Sequence, residues 1–189
     1  MNIICFGDSN TYGYDPRSFF GDPYDEHSRW VDILAEKLNC KVLNAGENGR
    51  EIPRREEDIY NVNLMLEKQK TVDLLIVMLG SNDLLQGNHV ELITKRMEFF
   101  LQKIKLDKLK ILLISPPYMK LGEWVTCQSL IQASQRLSVE YGDLAQRLDI
   151  KYADSEKWEV GLTYDGVHFT EEGHRAFAEG LYNYLKEGE

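Results

Sequence analysis

The chain has 189 residues, 43% of them apolar and 28% charged, with 31 acidic against 22 basic side chains for a net charge of −9. That length suits one domain with a full hydrophobic core, so residues 1–189 are read as a single domain, and the lack of repeats or biased segments excludes a fibre, linker or array. The negative charge opposes the phosphate backbone of nucleic acids, so no nucleic-acid partner is expected.

The first ten residues, MNIICFGDSN, carry no basic n-region, and their apolar run is far shorter than the roughly 20 residues of a membrane span, so neither export nor membrane association is expected. Cys5, Cys40 and Cys127 form no CxxC and leave one thiol over in any disulfide scheme, which points to a reducing, cytoplasmic compartment. Cys5 reads as a small buried hydrophobe on the first strand.

The predicted strands are the apolar runs Asn2 to Phe6, Lys41 to Asn44, Val72 to Leu79, Lys110 to Ser115 and, more weakly, Ile150 to Ala153. FGDSNTY at 6–12 places Ser9 on the first turn beyond the first of them. After the second strand, Pro53 is positioned to open a helix at its first turn, with the charge run Arg54 to Asp58 as the solvated start of that helix. Ile93, Met97, Phe100, Leu101 and Ile104 recur at helical spacing, as do Leu130, Leu137, Tyr141, Leu144 and Leu148, and then Phe177, Leu181 and Leu185. Pro116-Pro117 should stop the fourth strand and start a loop reaching to about Trp124. His174 falls in the last helical pattern as a core or capping residue, while His27 and His89 sit in polar loops with no partner signal. Strands alternating with helices call for a mostly parallel sheet covered on both faces, a three-layer α/β/α sandwich.

In such a sheet ligands bind beyond the carboxyl ends of the strands, and three polar motifs fall there: GDS at 7–9, GSND at 80–83 and DGVH at 165–168. Serine is a poor nucleophile at neutral pH. It needs a base, an acid to orient that base, and donors for the oxyanion that forms. Asp165 stands three residues before His168, close enough for the carboxylate to reach Nδ1 while Nε2 faces Ser9. Gly46 and Gly49 in NAGENGRE offer backbone N–H groups that can approach a substrate oxygen closely, and Asn82 offers a side-chain amide. Rate should fall at acid pH as His168 takes a proton and ceases to act as a base. No HExxH, CxxC or paired-histidine spacing occurs, so neither a metal nor a cofactor is expected.

FGDSNTYG, NGRE, LGSND and DGVHFTEEGH, in this order and strand context, resemble the four blocks of the SGNH, or GDSL-like, hydrolases over most of the chain. The resemblance implies a five-stranded, flavodoxin-like sheet, Ser9 as nucleophile, His168 as general base and Asp165 as its orienting acid. It also implies an oxyanion hole of Ser9, Gly49 and Asn82, with Gly49 preferred to Gly46 because it holds the family's glycine position. The chain departs from the family name at Asn10, where leucine is usual; that departure is read as touching pocket shape more than mechanism. Arg50, SRW at 28–30 and SPP at 115–117 look most like the arylesterase and acyltransferase branch, which acts on short acyl esters and can pass the acyl group to alcohols. Asp8, Tyr12, Tyr14, Arg50, Tyr118, Trp124 and Phe169 flank the blocks as candidates for a small acyl pocket.

The expected partner is a small-molecule ester, with a homo-oligomer left open. Four alternatives compete. A thioesterase or lysophospholipase would use the same site, and a non-catalytic binding module could use the same fold. A response-regulator receiver would need adjacent acids after the first strand and a lysine ending the fifth, where this chain has Gly7-Asp8-Ser9 and Ala153-Asp154-Ser155. An α/β-hydrolase would need a GxSxG elbow, which is absent.

Overall fold

Along Asn2–Gly7 (β1), every residue from Ile3 onward is buried in the computed structural model, which describes residues 1–187. Side chains alternate across a strand, so Ile3 and Cys5 enter one core and Ile4 and Phe6 the other. A strand buried on both faces must be apolar throughout, and that is why β1, Leu74–Met78 (β3) and Ile111–Ser115 (β4) read as unbroken apolar runs. Lys41–Gly46 (β2) and Lys151–Asp154 (β5), at the two edges, are more exposed and more polar. The five strands pair only in parallel, in the order β2-β1-β3-β4-β5. The expected three-layer sandwich and flavodoxin-like order are thus both present, with an all-parallel rather than mostly parallel sheet.

Two helical turns leave strand ends directly: Ser9–Tyr12 (α1) after β1 and Ser81–Leu85 (α4) after β3. Trp30–Leu38 (α2) and Glu171–Glu187 (α7) cover the face of Ile3, Ile76 and Ile114, where Trp30, Leu34, Phe177 and Leu181 fill the core. Glu56–Glu67 (α3), Val90–Lys103 (α5) and Gln128–Leu148 (α6) cover the other face through Ile59, Val62, Ile93, Phe100, Leu137 and Tyr141. His174 is buried in α7, within the core. Among the described residues no helix is long and apolar enough to cross a membrane.

One boundary differs from the sequence reading. Pro53 does not open α3, which begins at Glu56 with Arg55 as its cap residue. The Ile52 N–H donates to the buried Asp83 carboxylate at 3.0 Å, holding the segment across the sheet edge, and the chain turns helical only beyond it. The charge run does form the solvated helix start, with Arg55 paired to Asp58 at 2.7 Å.

Candidate active site

Gly7 ends β1 and the chain turns at once into α1, with Asp8 as the capping residue; its Oδ1 accepts the Asn10 N–H at 3.0 Å. Ser9 is therefore the first residue of a helical turn just beyond the carboxyl end of the strand. Its N–H belongs to the set that helix geometry leaves without an intrahelical acceptor. Burial pushes the Asp8 carboxyl up to about 6, against the pull of the Asn10 N–H and of His168 and Arg50 nearby.

At the other end of the chain, Asp165 accepts the backbone N–H of Val167 at 2.8 Å and of His168 at 2.9 Å on Oδ1. These bonds wrap the DGVH turn around its own carboxylate and aim Oδ2 at His168 Nδ1, 2.7 Å away. His168 Nε2 in turn lies 3.0 Å from Ser9 Oγ. Desolvation alone would raise the Asp165 carboxyl, but the bonds from the His168 ring and from both backbone N–H groups outweigh it and hold the pKa at about 2. Asp165 is thus an anion throughout the neutral range, and a His168 Nδ1 that donates to it leaves Nε2 free to accept from Ser9. Gly166 makes the turn possible. It sits at φ +83°, and a side chain there would run into the Lys120 carbonyl oxygen.

The sequence candidates for the oxyanion arrive on two further loops. Gly49 has φ +74° with open space where a side chain would stand, so its backbone can be approached closely. Gly46, by contrast, is the last residue of β2 and is packed against the Tyr12 backbone. Asn82 is the second residue of α4 after β3, and its Nδ2 donates to the Arg50 carbonyl at 3.0 Å. That bond uses one of the two amide hydrogens and ties the two loops to each other.

The seven proposed pocket residues divide. Tyr14 lies tilted and Trp124 edge-on against the His168 ring, at centroid distances of 4.7 and 4.8 Å. Trp124 is held there because its N–H donates to the Asp165 carbonyl at 3.1 Å, while the Lys120 N–H donates to Gly166 O at 3.0 Å, sewing the loop after β4 onto the DGVH turn. Phe169 is not a pocket wall: it is fully buried and packs on His174 and Phe177 in the core. Arg50 likewise turns inward. Its guanidinium donates to Gly7 O and Ala45 O, pairs with Glu47 and covers the Phe6 ring, so it braces the glycine loop. Asp8 is spent as a buried cap. Tyr12 is half-buried with its backbone against Gly46, and Tyr118 is fixed by its N–H donating to Glu156 at 2.9 Å.

Two residues of the motifs do more than the sequence reading gave them. Asp83 is fully buried, accepts from Ile52 and pairs with Arg96 at 3.0 Å, so it anchors the loop that presents Asn82. Asn10 does not shape a pocket: it is buried, and its side chain spans to the residues on either side of His168, donating to Val167 O at 3.1 Å and accepting from Phe169 N at 3.0 Å. A polar residue in place of the expected leucine was the available signal. Among the described residues no group of three or more His, Cys, Asp or Glu could hold a metal ion.

A buried serine just beyond β1, in series with an imidazole and a carboxylate that share the turn before α7, is an arrangement suited to acyl transfer. The family described as GDSL-like Lipase/Acylhydrolase matches residues 5–176. The chain belongs to that family. This acylhydrolase is a carboxylic ester hydrolase, and its fold recurs among solved structures. A carbohydrate acetylesterase family member from Sinorhizobium meliloti is 25% identical, with a TM-score of 0.80 over 98% of this chain and 97% of that one. The aryl esterase of M. smegmatis, 23% identical, superposes with a TM-score of 0.82 over 98% of both chains. A member of the lipolytic G-D-S-L family from Veillonella parvula, 23% identical, gives 0.76 over the same shares. At 23% identity the last two speak for the fold alone. No curated protein matches the chain in sequence.

Proposed function

We propose that this acylhydrolase cleaves short acyl esters, acetyl esters foremost, through an acyl-enzyme on Ser9. The observation that carries the reading is the continuous series from Ser9 Oγ to His168 Nε2 at 3.0 Å and from His168 Nδ1 to Asp165 at 2.7 Å. Ser9 Oγ attacks the ester carbonyl carbon as its proton passes to His168 Nε2. The oxyanion that forms is met by the N–H groups of Ser9 and Gly49 and by the free amide hydrogen of Asn82. Collapse breaks the ester C–O bond, and the leaving alcohol takes the proton from His168. Water, deprotonated by His168, then attacks the acyl-Ser9 carbonyl; the bond from the acyl carbon to Ser9 Oγ breaks, Oγ takes the proton back from His168, and the acid is released. An alcohol in place of that water gives transfer rather than hydrolysis.

Three considerations favour a small acyl group on a sugar or aryl leaving group. The rings of Tyr14 and Trp124 stand against the imidazole and narrow the space beside the reacting pair. The 25% identical relative from Sinorhizobium meliloti is named for acetyl ester cleavage on carbohydrates. Trp124, 49% exposed, offers a flat apolar face at the site mouth on which a sugar or aryl leaving group can rest. The three free cysteines support a reducing, cytoplasmic setting.

The test is release of p-nitrophenol from the acetate, butyrate and octanoate esters by the wild type and by Ser9→Ala. Turnover highest on acetate and abolished in the variant is the expected result. Turnover that survives Ser9→Ala removes the acyl-enzyme, and a preference for octanoate removes the small pocket.

A further inference from the structure

Asn10 follows Ser9 in the chain, is 4% exposed, and uses every polar atom it has. Its backbone N–H donates to the Asp8 carboxylate at 3.0 Å, and its carbonyl accepts the indole N–H of the fully buried Trp30 at 2.9 Å. Its side-chain amide donates to Val167 O at 3.1 Å and accepts from Phe169 N at 3.0 Å. The amide orientation is fixed by this pairing, since the oxygen faces an N–H and the nitrogen faces a carbonyl. Val167 and Phe169 are the two neighbours of His168. The residue after the serine therefore grips the chain on both sides of the histidine, across more than 150 positions of sequence.

We infer that Asn10 is a positioning residue that sets the distance between Ser9 Oγ and His168 Nε2; the inference rests on the proposed roles of that pair. Without the bridge, the Tyr14 ring still lies against His168 and the Tyr24 hydroxyl still donates to Phe169 O at 3.3 Å, but between Ser9–Tyr12 and the turn carrying His168 the hydrogen bond that remains is the reacting one. That bond must break and reform in each turnover, so it cannot hold the two loops in register. Asp165 fixes His168 within its own turn through bonds at 2.7, 2.8 and 2.9 Å, but none of these reaches Ser9. The side-chain bridge of Asn10 supplies the missing cross-link from inside the protein, where water does not compete. A leucine at position 10 would fill the volume and supply neither bond.

The test compares Asn10→Leu and Asn10→Ala with a matched control elsewhere in the fold. Asn63 makes the same kind of buried bridge, donating to Lys103 O at 3.0 Å and accepting from Lys105 N at 2.8 Å, where α3 meets the end of α5. Asn63→Leu should therefore lose comparable stability without touching Ser9 or His168. Misplacing a reacting group by about 1 Å costs roughly 10²-fold. Either Asn10 variant, whichever folds, should lower kcat on p-nitrophenyl acetate about 10- to 100-fold while KM moves less than about threefold. Asn63→Leu should keep the wild-type kcat at temperatures where all the proteins are folded. Labelling of Ser9 by an organophosphate should slow in step with kcat in the Asn10 variants only. Wild-type kcat in both Asn10 variants overturns the inference. So does a loss of kcat in Asn63→Leu as large as theirs, because the effect would then follow stability alone. Failure of the underlying reading looks different: turnover would persist in Ser9→Ala, whatever Asn10 does.

Discussion

Two buried titratable groups near the site pull stability in opposite directions with pH, and removing each in turn should separate them. His174 is buried beside Tyr24 and Phe169, its Nδ1 takes only a long bond from Trp30 N at 3.4 Å, and its Nε2 has no hydrogen-bond partner. Burial first, then the positive charge of Arg29 and the nearby His168, lower its pKa from 6.5 to about 3. The unfolded chain therefore takes up this proton first as pH falls, so stability is complete above 6.5 and is lost toward 3. At about pH 4.5 the two units below 6.5, at roughly 1.36 kcal/mol each, amount to a loss of about 3 kcal/mol. Asp8 has the opposite sign. Its folded value of about 6 exceeds the unfolded 3.8, so the folded state binds its proton first, and the cost of ionising it is relieved as pH falls below 6. Over the one and a half units from about 6 to about 4.5 that relief is about 2 kcal/mol. Asp165, held at about 2, titrates below this window. Urea unfolding followed by tryptophan fluorescence at about pH 8, 6 and 4.5 reads these terms as differences from the wild type. On acidification His174→Gln should gain about 3 kcal/mol relative to the wild type, and Asp8→Asn should lose about 2 kcal/mol relative to it. Three parallel pH profiles would refute the reasoning, because neither group would then change its proton affinity on folding.

Further predictions concern catalysis and the turn that carries the histidine. Asn82→Ala should lower kcat by roughly 10²- to 10³-fold if the amide meets the oxyanion, and unchanged turnover would remove Asn82 from the mechanism. Asp165→Asn should cost about 10⁴ in kcat, because an amide presenting N–H to Nδ1 favours the tautomer whose Nε2 already carries a proton; a loss of tenfold or less contradicts that role. Gly166→Ala forces a side chain into a φ of +83° and against Lys120 O, so it should lower stability by about 1–3 kcal/mol and shift the Trp124 emission through the loop sewn to that turn. An unchanged melting temperature and spectrum would show that the turn relaxes freely.

The three central strands were legible because burial on both faces demands an unbroken apolar run, and each was located to within two residues. Helix α2 was harder to read from WVDILAEKL, since its cap residue Arg29 makes no side-chain capping bond, and α1 and α4 are too short to show a period. The start of α3 is not legible from Pro53, because the long-range bond from the Ile52 N–H to the Asp83 carboxylate governs that segment and the helix begins at Glu56. The same limit applies at the site. Ser9, His168 and Asp165 could be singled out because nucleophile, base and acid are distinct residue types at recognisable spacings. What Asn10, Arg50, Asp83 and Phe169 touch depends on packing across the whole chain, and a motif does not reveal whether a side chain faces the solvent, a partner loop or the core. Asn10 and Arg50 both carry polar groups that a pocket could use, yet both are spent on backbone atoms of neighbouring loops.

The most direct test of the account is the mass of the intact protein during turnover of p-nitrophenyl acetate, quenched in acid and followed by peptide mapping. A single acetyl group carried on Ser9 in the wild type, and on no residue in Ser9→Ala, is the predicted result. Sustained turnover with no adduct on Ser9, or an acetyl group mapped to another residue whose removal stops the reaction, would contradict the acyl-enzyme.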